Sequence, residues 1–241
     1  MTVAADAVPD GTQVRVQVLL AARGGCTAEL AAVAAGVAGD AARTLGDDAR
    51  VILLTEIDDD PFPAANPLCR PFEVVLEVQA ATDVGLGAMV GALGDLGARV
   101  AEHAHLDLSG ALVGAPQAII PTDPTPLRYL YFMRRKAHTT RDAYLDYYFH
   151  HHSRFGFRTP NIAGYTQLHV DPDESAIAAR HLGLGSTVCD SVSELHLESL
   201  EAFFAGIGDG RLGEEAGADE ETFVDRANSV SICTTSQGFA P

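Results

Sequence analysis

The chain has 241 residues, of which 47% are hydrophobic and 20% are charged, a composition typical of one large or two small globular domains. Its 33 acidic and 16 basic side chains give a formal net charge of −17 at pH 7. A chain this acidic is repelled by phosphate backbones and anionic lipid, which excludes nucleic acid and membrane surfaces as expected partners. No run approaches the ~18 apolar residues that a membrane span needs.

Residues 10–120 are predicted to form a first half with the element order β-α-β-β-α-β. Alternating or short apolar runs predict strands, and apolar residues at helical spacing predict helices. The predicted strands span residues 14–20, 51–54, 72–78 and 108–120. One helix is predicted to be capped by Thr27 and to run to about Leu45; the other is predicted to be capped by Asp83 and to reach Val100.

A proline-rich segment at residues 121–126 interrupts this pattern. Its three prolines in six residues remove backbone donors and disfavour helix, so we predict a short extended linker. The same element order then returns over residues 127–236. The strands of this second half are predicted at residues 127–133, 165–170, 192–197 and 228–235. A helix capped by Thr139 or Thr140 and a second helix capped by Ser199 lie between them.

The βαββαβ order is that of the ferredoxin-like motif, so the predicted fold class is α+β. The two halves share little identity, and the repeat therefore rests on element order and length. One such unit leaves one face of its sheet uncovered by its own helices. We therefore expect two tandem ferredoxin-like units to pack these faces together as an intrachain α+β barrel. A chain that closes its own barrel is expected to be a monomer, or a homodimer formed through another surface.

Several segments of the second half carry a recognisable pattern in a fixed order. Residues 129–136 form a strand that ends in a basic cluster, and residues 142–152 form a helix with two tyrosines and a histidine at intervals of four. Two later strands follow at residues 164–169 and 190–203, and a short segment at residues 223–225 precedes the last strand. In this order they resemble an EthD-type domain of the dimeric α+β-barrel superfamily. Ser153-Arg154 and His196 depart from the usual Gly-Pro and aromatic residue. The first half matches none of these motifs and is interpreted as a degenerate second copy.

Tyr144, Tyr148 and His152 lie on one stripe of their predicted helix. The resemblance implies that this stripe faces the sheet, where relatives in the broader class place small-molecule pockets. A histidine with a pKa near ~6.5 can exchange a proton at neutral pH, and a tyrosine hydroxyl can stabilise a developing enolate. We predict His152 as a general base, Tyr148 as the donor to the enolate and Tyr144 as a substrate-binding residue. Simple packing is the alternative, and it is favoured for Tyr144.

Two strands supply further candidates because alternate side chains point to one side of a strand. On strand 192–197 these are Glu194 and His196, predicted as catalytic residues that orient His152, pair with its charge or relay its proton. On strand 165–170 three aligned side chains are predicted to bind substrate: Tyr165, Gln167 and His169. If the strands pair as a hairpin, we expect His169 to share a face with Glu194 and His196.

Arg134 begins the densest basic patch, which either holds a substrate carboxylate or pairs with nearby acids. The run of three histidines that ends at His152 cannot converge on one ion, because consecutive helical residues lie ~100° apart. We therefore predict no metal site and no organic cofactor. A metal held by His152 together with sheet residues, and a haem, stay open as alternatives.

The four cysteines form no Cys-x-x-Cys pair and suggest no disulfide framework, so they are interpreted as reduced thiols of a cytoplasmic protein. Positions 1–10 lack the basic side chain and the apolar core of a signal peptide.

The predicted function is that of an enzyme without organic cofactor. It acts on a small, largely apolar, oxygenated molecule of aromatic or polyketide-like type. The reaction is proton transfer next to a carbonyl: a lyase-, cyclase- or isomerase-like dehydration, cyclisation or isomerisation. Two alternatives are a cofactor-free monooxygenase and a non-catalytic small-molecule-binding accessory protein of an oxygenase system.

Overall fold

A computed structural model describes residues 13–61, 72–208 and 210–241. Positions 1–10, the first residues of the predicted first half and Cys69 lie outside the described residues. Within them, eight strands form a closed antiparallel barrel in the order β1-β3-β2-β8-β5-β7-β6-β4. Helices pack on its outside, so the fold is α+β, as predicted. No helix in these ranges is long and apolar enough to cross a membrane.

The strands follow the alternating and apolar runs of the sequence. They are β1 Gln13–Leu20, β2 Ala49–Glu56, β3 Val74–Ala81, β4 Gly110–Ile120, β5 Leu127–Met133, β6 Gly164–Asp171, β7 Ser191–Leu197 and β8 Val230–Phe239. The helices are α1 Thr27–Leu45, α2 Leu86–Ala92, α3 Leu96–Val100, α4 Arg141–Tyr147, α5 Arg154–Arg158, α6 Pro172–His181, α7 Leu200–Ile207 and α8 Arg211–Phe223. A π-helical turn, Tyr148–His152, joins α4 to α5.

The two halves of the chain place their strands in the same order. The first half runs β4-β1-β3-β2 and the second runs β8-β5-β7-β6. The pairs β2 with β8 and β4 with β6 join the halves, so the barrel closes within one chain. The proline-rich residues 121–126 connect β4 to β5 without regular secondary structure.

The barrel interior has an apolar end and a polar end. Buried apolar side chains from both halves fill the first, among them Leu19, Leu54, Leu130, Phe132, Leu168 and Ile232. Buried charged and amide side chains fill the second: Arg15, Gln17, Glu77, Arg128 and Glu194. A separate apolar layer on the outside packs α1, α2, α3 and α6 against the sheet. Side chains therefore fill the interior of the barrel, and those at one end of it are charged.

Several predicted helix starts need correction. Thr27 makes no capping hydrogen bond, because the N-cap position is held by Cys26. Asp83 lies in a 3-10 turn before Gly85, so it does not cap the next helix. That helix divides into α2 and α3 because Gly94, with φ of 58°, breaks it. Helices α6 and α8 were not predicted at all.

Two predicted caps in the second half are confirmed. The Thr140 hydroxyl accepts a hydrogen bond from the Ala143 amide, and the Ser199 hydroxyl accepts one from the Ala202 amide. Each satisfies an amide that the first turn of a helix leaves without a partner.

Candidate functional site

A cavity of about 550 Å³ lies between the outer face of β5, β7 and β8 and the helices α7 and α8. Alternation along β5 directs Leu130 into the barrel and Tyr129 and Tyr131 outward into this cavity. Apolar side chains form much of the remaining wall: Leu195, Phe203, Ile207 and Leu212. Glu220, Arg226, Ser229 and Ser231 add polar groups. A mostly apolar cavity of this size with a few polar groups is typical of a small-molecule site.

Glu220, on the last turn of α8, lines this cavity with its side chain only 17% exposed. Burial raises the pKa of its carboxyl to about 7; Arg226 opposes this effect and the charge of Asp219 adds to it. The Arg226 Nε lies 3.5 Å from Glu220 Oε2 at the exposed side of the cavity. Near neutral pH the Glu220 carboxyl can therefore both accept and donate a proton.

The two tyrosines on β5 stay protonated in this setting. Burial, and then the charge of Glu220, raises the pKa of Tyr131 to about 12. Burial and Glu220 likewise raise the pKa of Tyr129 above its ordinary value, and Tyr129 hydrogen-bonds Ser231. Both phenols thus keep their protons beside an acid–base carboxyl, and Tyr131 also has hydrogen-bond partners in Ser229 and Arg226.

His152 lies behind Glu220, at the end of the π-helical turn. Its Nδ1 is 2.8 Å from Asp219 Oδ2, and its Nε2 is 3.8 Å from Glu220 Oε1. Burial lowers the pKa of His152, although the hydrogen bond to Asp219 opposes this. The ring is therefore neutral at pH 7.

Asp219 is held as an ionised carboxylate. Burial raises its pKa, but hydrogen bonds from His152 and Tyr147, together with the charge of Arg154, outweigh this and lower it. The Tyr147 hydroxyl donates over 2.9 Å and the Arg154 guanidinium over 2.7 Å. Because the carboxylate can only accept, His152 Nδ1 carries the proton and Nε2 faces Glu220 unprotonated.

The two tyrosines of the predicted helix stripe, Tyr144 and Tyr148, are packed between their helix and the sheet. The Tyr144 hydroxyl lies 2.7 Å from Ser191 Oγ, and the Tyr148 ring stacks with Tyr144 at 6.1 Å between centroids. The Tyr148 hydroxyl lies near Tyr165 and Ser193 without a hydrogen bond of good geometry. Neither Tyr144 nor Tyr148 lines the cavity that holds Glu220.

The predicted substrate-binding residues of β6 join this packed layer on the outside of the barrel. Gln167 Nε2 donates to the Tyr165 hydroxyl over 2.8 Å and to the Tyr148 carbonyl over 3.2 Å. His169 Nε2 lies 3.1 Å from Gln167 Oε1, and burial lowers the pKa of His169 to about 4. These three side chains of β6 therefore anchor the helix to the sheet.

Glu194 and His196 lie on the opposite side of the barrel wall. In the β6–β7 register Thr166 pairs with Glu194, so Thr166, and not Gln167 or His169, accompanies Glu194 into the barrel. Glu194 accepts hydrogen bonds there from Arg15 at 2.7 Å and from Gln17 at 2.6 Å. The prediction that His169 shares a face with Glu194 and His196, and that these two act on His152, is wrong.

Arg134 lies at the apolar end of the barrel, where it lines a different cavity of about 280 Å³ with Phe72 and Cys189. The next residue, Arg135, pairs with Asp190 at 3.0 Å, as one of the two interpretations of this patch anticipated. No group of three His, Cys, Asp or Glu side chains among the described residues is placed to hold a metal ion.

The sequence reading missed Asp219, Glu220, Tyr129 and Tyr131. A usable signal was present, since Tyr129 and Tyr131 alternate with the buried Leu130. On α8, Leu212, Ala216, Glu220 and Phe223 recur at helical spacing within an otherwise acidic stretch. This stripe faces the sheet and places Glu220 among apolar residues.

Residues 136–227 match the EthD domain family, so the chain carries an EthD domain in this range, which confirms the predicted resemblance. Among solved structures, the chain is similar to an anthrone oxidase-like protein, with a TM-score of 0.59 and 10% identity over 95% of this chain and 94% of that chain. It is similar to a protein provisionally named a monooxygenase from Fusobacterium nucleatum, with a TM-score of 0.57 and 7% identity over 96% and 95% of the two chains.

A chlorite dismutase variant from Candidatus Nitrospira defluvii gives a TM-score of 0.54 and 11% identity over 92% of this chain and 91% of that chain. At these identities the likeness establishes a shared α+β-barrel fold. No curated protein matches the sequence.

Proposed function

From the EthD domain and its cavity, we propose that this protein is an enzyme that moves a proton on a small, largely apolar, oxygenated molecule. The observation that carries the proposal is the Glu220 carboxyl, whose pKa of about 7 is matched to neutral pH inside a mostly apolar cavity. The cavity volume of about 550 Å³ suits an aromatic or polyketide-like molecule.

In the proposed reaction the Glu220 carboxylate removes a proton from a carbon next to the substrate's carbonyl. Tyr131, and Tyr129 beside it, donate hydrogen bonds to the oxygen on which negative charge develops. The protonated Glu220 then gives the proton to a hydroxyl that leaves as its C–O bond breaks, to another carbon of the enolate, or to the oxygen of a second carbonyl that the enolate carbon attacks to close a ring. These outcomes are a dehydration, an isomerisation or a cyclisation, so the activity is lyase- or isomerase-like. Acid, base and donors are all side chains, and the step needs no organic cofactor.

His152 takes a supporting role that differs from the one predicted for it. With Nδ1 bound to Asp219, the free Nε2 lies 3.8 Å from Glu220 and can take up its proton after a small closure. Asp219 keeps the ring in this tautomer. We therefore propose His152 as a relay partner of Glu220, and we propose no catalytic role for Tyr148, Glu194 or His196.

The test begins with a screen for aromatic and polyketide-like compounds that raise the thermal unfolding temperature. Turnover of a compound found this way is then compared between the wild type and Glu220→Gln. We expect at least about a hundredfold loss of kcat, as for removal of a positioned acid–base group. Glu221→Gln is the matched control, because its side chain is 72% exposed and lies next in the chain. Full activity of Glu220→Gln would sink the proposal.

A cofactor-free oxygenase is the second candidate, supported by the names of the anthrone oxidase-like and monooxygenase neighbours. In this version Glu220 deprotonates a phenol-like substrate and the resulting carbanion reacts with O₂. Turnover that persists under strict anaerobiosis excludes this candidate, and turnover abolished there excludes simple proton transfer.

A non-catalytic binding role is the third candidate, and the apolar part of the cavity wall supports it. Saturable binding of a compound without conversion, equally strong in the wild type and in Glu220→Gln, would favour an accessory protein over an enzyme.

We also infer that the chain is two tandem ferredoxin-like units, residues 10–120 and 127–236, joined by the linker 121–126. The equal strand order of the two halves supports this inference. Since the barrel is closed by one chain, we propose a monomer or a homodimer formed elsewhere. Light scattering that shows only a higher oligomer would contradict this.

A further inference from the structure

A second cavity, of about 180 Å³, opens at the polar end of the barrel. Its wall includes three arginines, a glutamine, a threonine and a histidine: Arg15, Arg50, Arg128, Gln79, Thr166 and His196. The proline-rich segment 121–124 forms part of its rim. Prolines restrict the backbone of this rim, so the opening is largely preformed.

The charged groups around this cavity are not all in contact with a partner. Arg15 and Arg128 are paired, because Glu194 lies 2.7 Å from Arg15 and Glu77 lies 3.2 Å from Arg128. Burial would raise the pKa of Glu77, but Arg15 and Arg128 lower it to about 2, so this carboxylate is ionised.

Arg50 makes no ion pair in the described part of the chain. Its polar contact there is a 3.4 Å hydrogen bond to Gln79 Oε1, which also accepts from Arg15. The two buried carboxylates, Glu77 and Glu194, are therefore taken up by Arg15 and Arg128, and neither forms an ion pair with Arg50. Asp123, on the exposed rim, is the other acid that lines the cavity.

Two buried nitrogen atoms in the wall also lack partners. Arg128 is 1% exposed and His196 is 5% exposed. Among the described residues, Arg128 Nε and His196 Nδ1 have no hydrogen-bond partner. The two residues face each other on paired strands, with His196 Nε2 near the Thr166 hydroxyl at 3.3 Å. Unsatisfied buried polar atoms are costly and uncommon, and Arg128 Nε can only donate, so its position beside the unpaired Arg50 guanidinium points to a missing acceptor.

We propose that this cavity binds a small oxyanion, such as a carboxylate or inorganic phosphate, at a site separate from the cavity of Glu220. The Arg50 guanidinium, which has no ion pair among the described residues, attracts the anion, and Arg128 and His196 lie within the wall that receives it. The volume limits the ligand to a few heavy atoms beyond the anionic group. Alternation along β5 separates the sites, because Arg128 faces the barrel interior and Tyr129 faces the outer cavity.

The test measures thermal stabilisation and calorimetric binding of inorganic phosphate and of acetate at matched ionic strength. We expect saturable binding of at least one of them to the wild type, and comparison of the two probes separates a phosphate site from a carboxylate site. Arg50→Gln should weaken binding about tenfold or more, the effect of losing one charge-assisted hydrogen bond. Arg43→Gln is the matched control, since it removes the same charge from an exposed position on α1.

A second readout uses the wild type alone, so it does not depend on the folding of a variant. The ring signal of His196, assigned by through-bond correlation to its own backbone amide, should shift in the NMR spectrum as the anion saturates the site. The proposal is overturned by absence of saturable binding of both probes, by equal weakening in Arg50→Gln and Arg43→Gln, or by binding that leaves the His196 signal unmoved.

Discussion

Glu220 makes the stability of the protein depend on pH in a defined direction. Its pKa rises from an ordinary value of 4.5 to about 7 in the folded chain, so the folded state holds this proton more tightly than the unfolded state. Its contribution to stability is fully present below pH 4.5 and is lost as pH rises through 7. Each pH unit between the two pKa values is worth about 1.4 kcal/mol, so the whole loss is about 3–4 kcal/mol, most of it between pH 5 and pH 8.

Glu220→Gln removes this dependence, because the carboxamide has nearly the same shape and no charge. Relative to the wild type, the variant should gain about 2–3 kcal/mol in unfolding free energy between pH 5 and pH 8. Urea unfolding followed by circular dichroism at the two pH values measures the difference, with Glu221→Gln as the exposed control. If both variants change equally with pH, then Glu220 is not the buried carboxyl described here and its role as an acid–base group fails with it.

Three further changes test the surrounding structure. Tyr131→Phe should lower kcat on an identified substrate about tenfold to a hundredfold without altering the fold, and unchanged kcat would remove Tyr131 from the proposed mechanism. Glu194→Ala should destabilise the chain by about 3–5 kcal/mol in urea unfolding, because it leaves buried arginine charge uncompensated; a loss under 1 kcal/mol would refute this account. Gly114→Ala should lower the free energy of unfolding in urea by about 1–3 kcal/mol, because the added Cβ would lie 2.2 Å from the His169 carbonyl oxygen where β4 pairs with β6. Gly87→Ala is the control: its added Cβ meets nothing within 4 Å, so this variant should be neutral or stabilising.

Local patterns were sufficient to predict the strands because alternation and burial are decided within a few residues. The strand predicted at residues 127–133 is β5 with the same bounds, Leu127–Met133. Helix interruptions were harder to foresee, because the apolar stripe continues across Gly94 while the backbone turns there. No local sequence pattern predicts the π-helical turn at Tyr148–His152 either, and this turn sets the direction of the His152 side chain.

The site was less predictable because it depends on which face of each strand lies inside a closed barrel. Alternation along a strand shows that Glu194 and His196 share one face, and that Gln167 and His169 share one face. It does not show which of these faces lies inside the barrel. The assumption that both groups face the helices placed Glu194 beside His152. The register instead directs Glu194 to Arg15, a residue 179 positions away in the sequence. No local pattern in β7 signals that partner.

Strand β5 shows how one short sequence serves both cavities. Arg128 and Leu130 face the barrel interior, while Tyr129 and Tyr131 face the outer cavity with Glu220. A register slip of one residue would exchange these sets, burying two phenols against the carboxylates and exposing a guanidinium to the apolar wall. The ion pairs of Arg128 with Glu77 inside, and the packing of both tyrosines outside, oppose the same slip from opposite faces. The charged end of the barrel therefore helps to hold the outer cavity in shape, although no residue of the ion cluster reaches it.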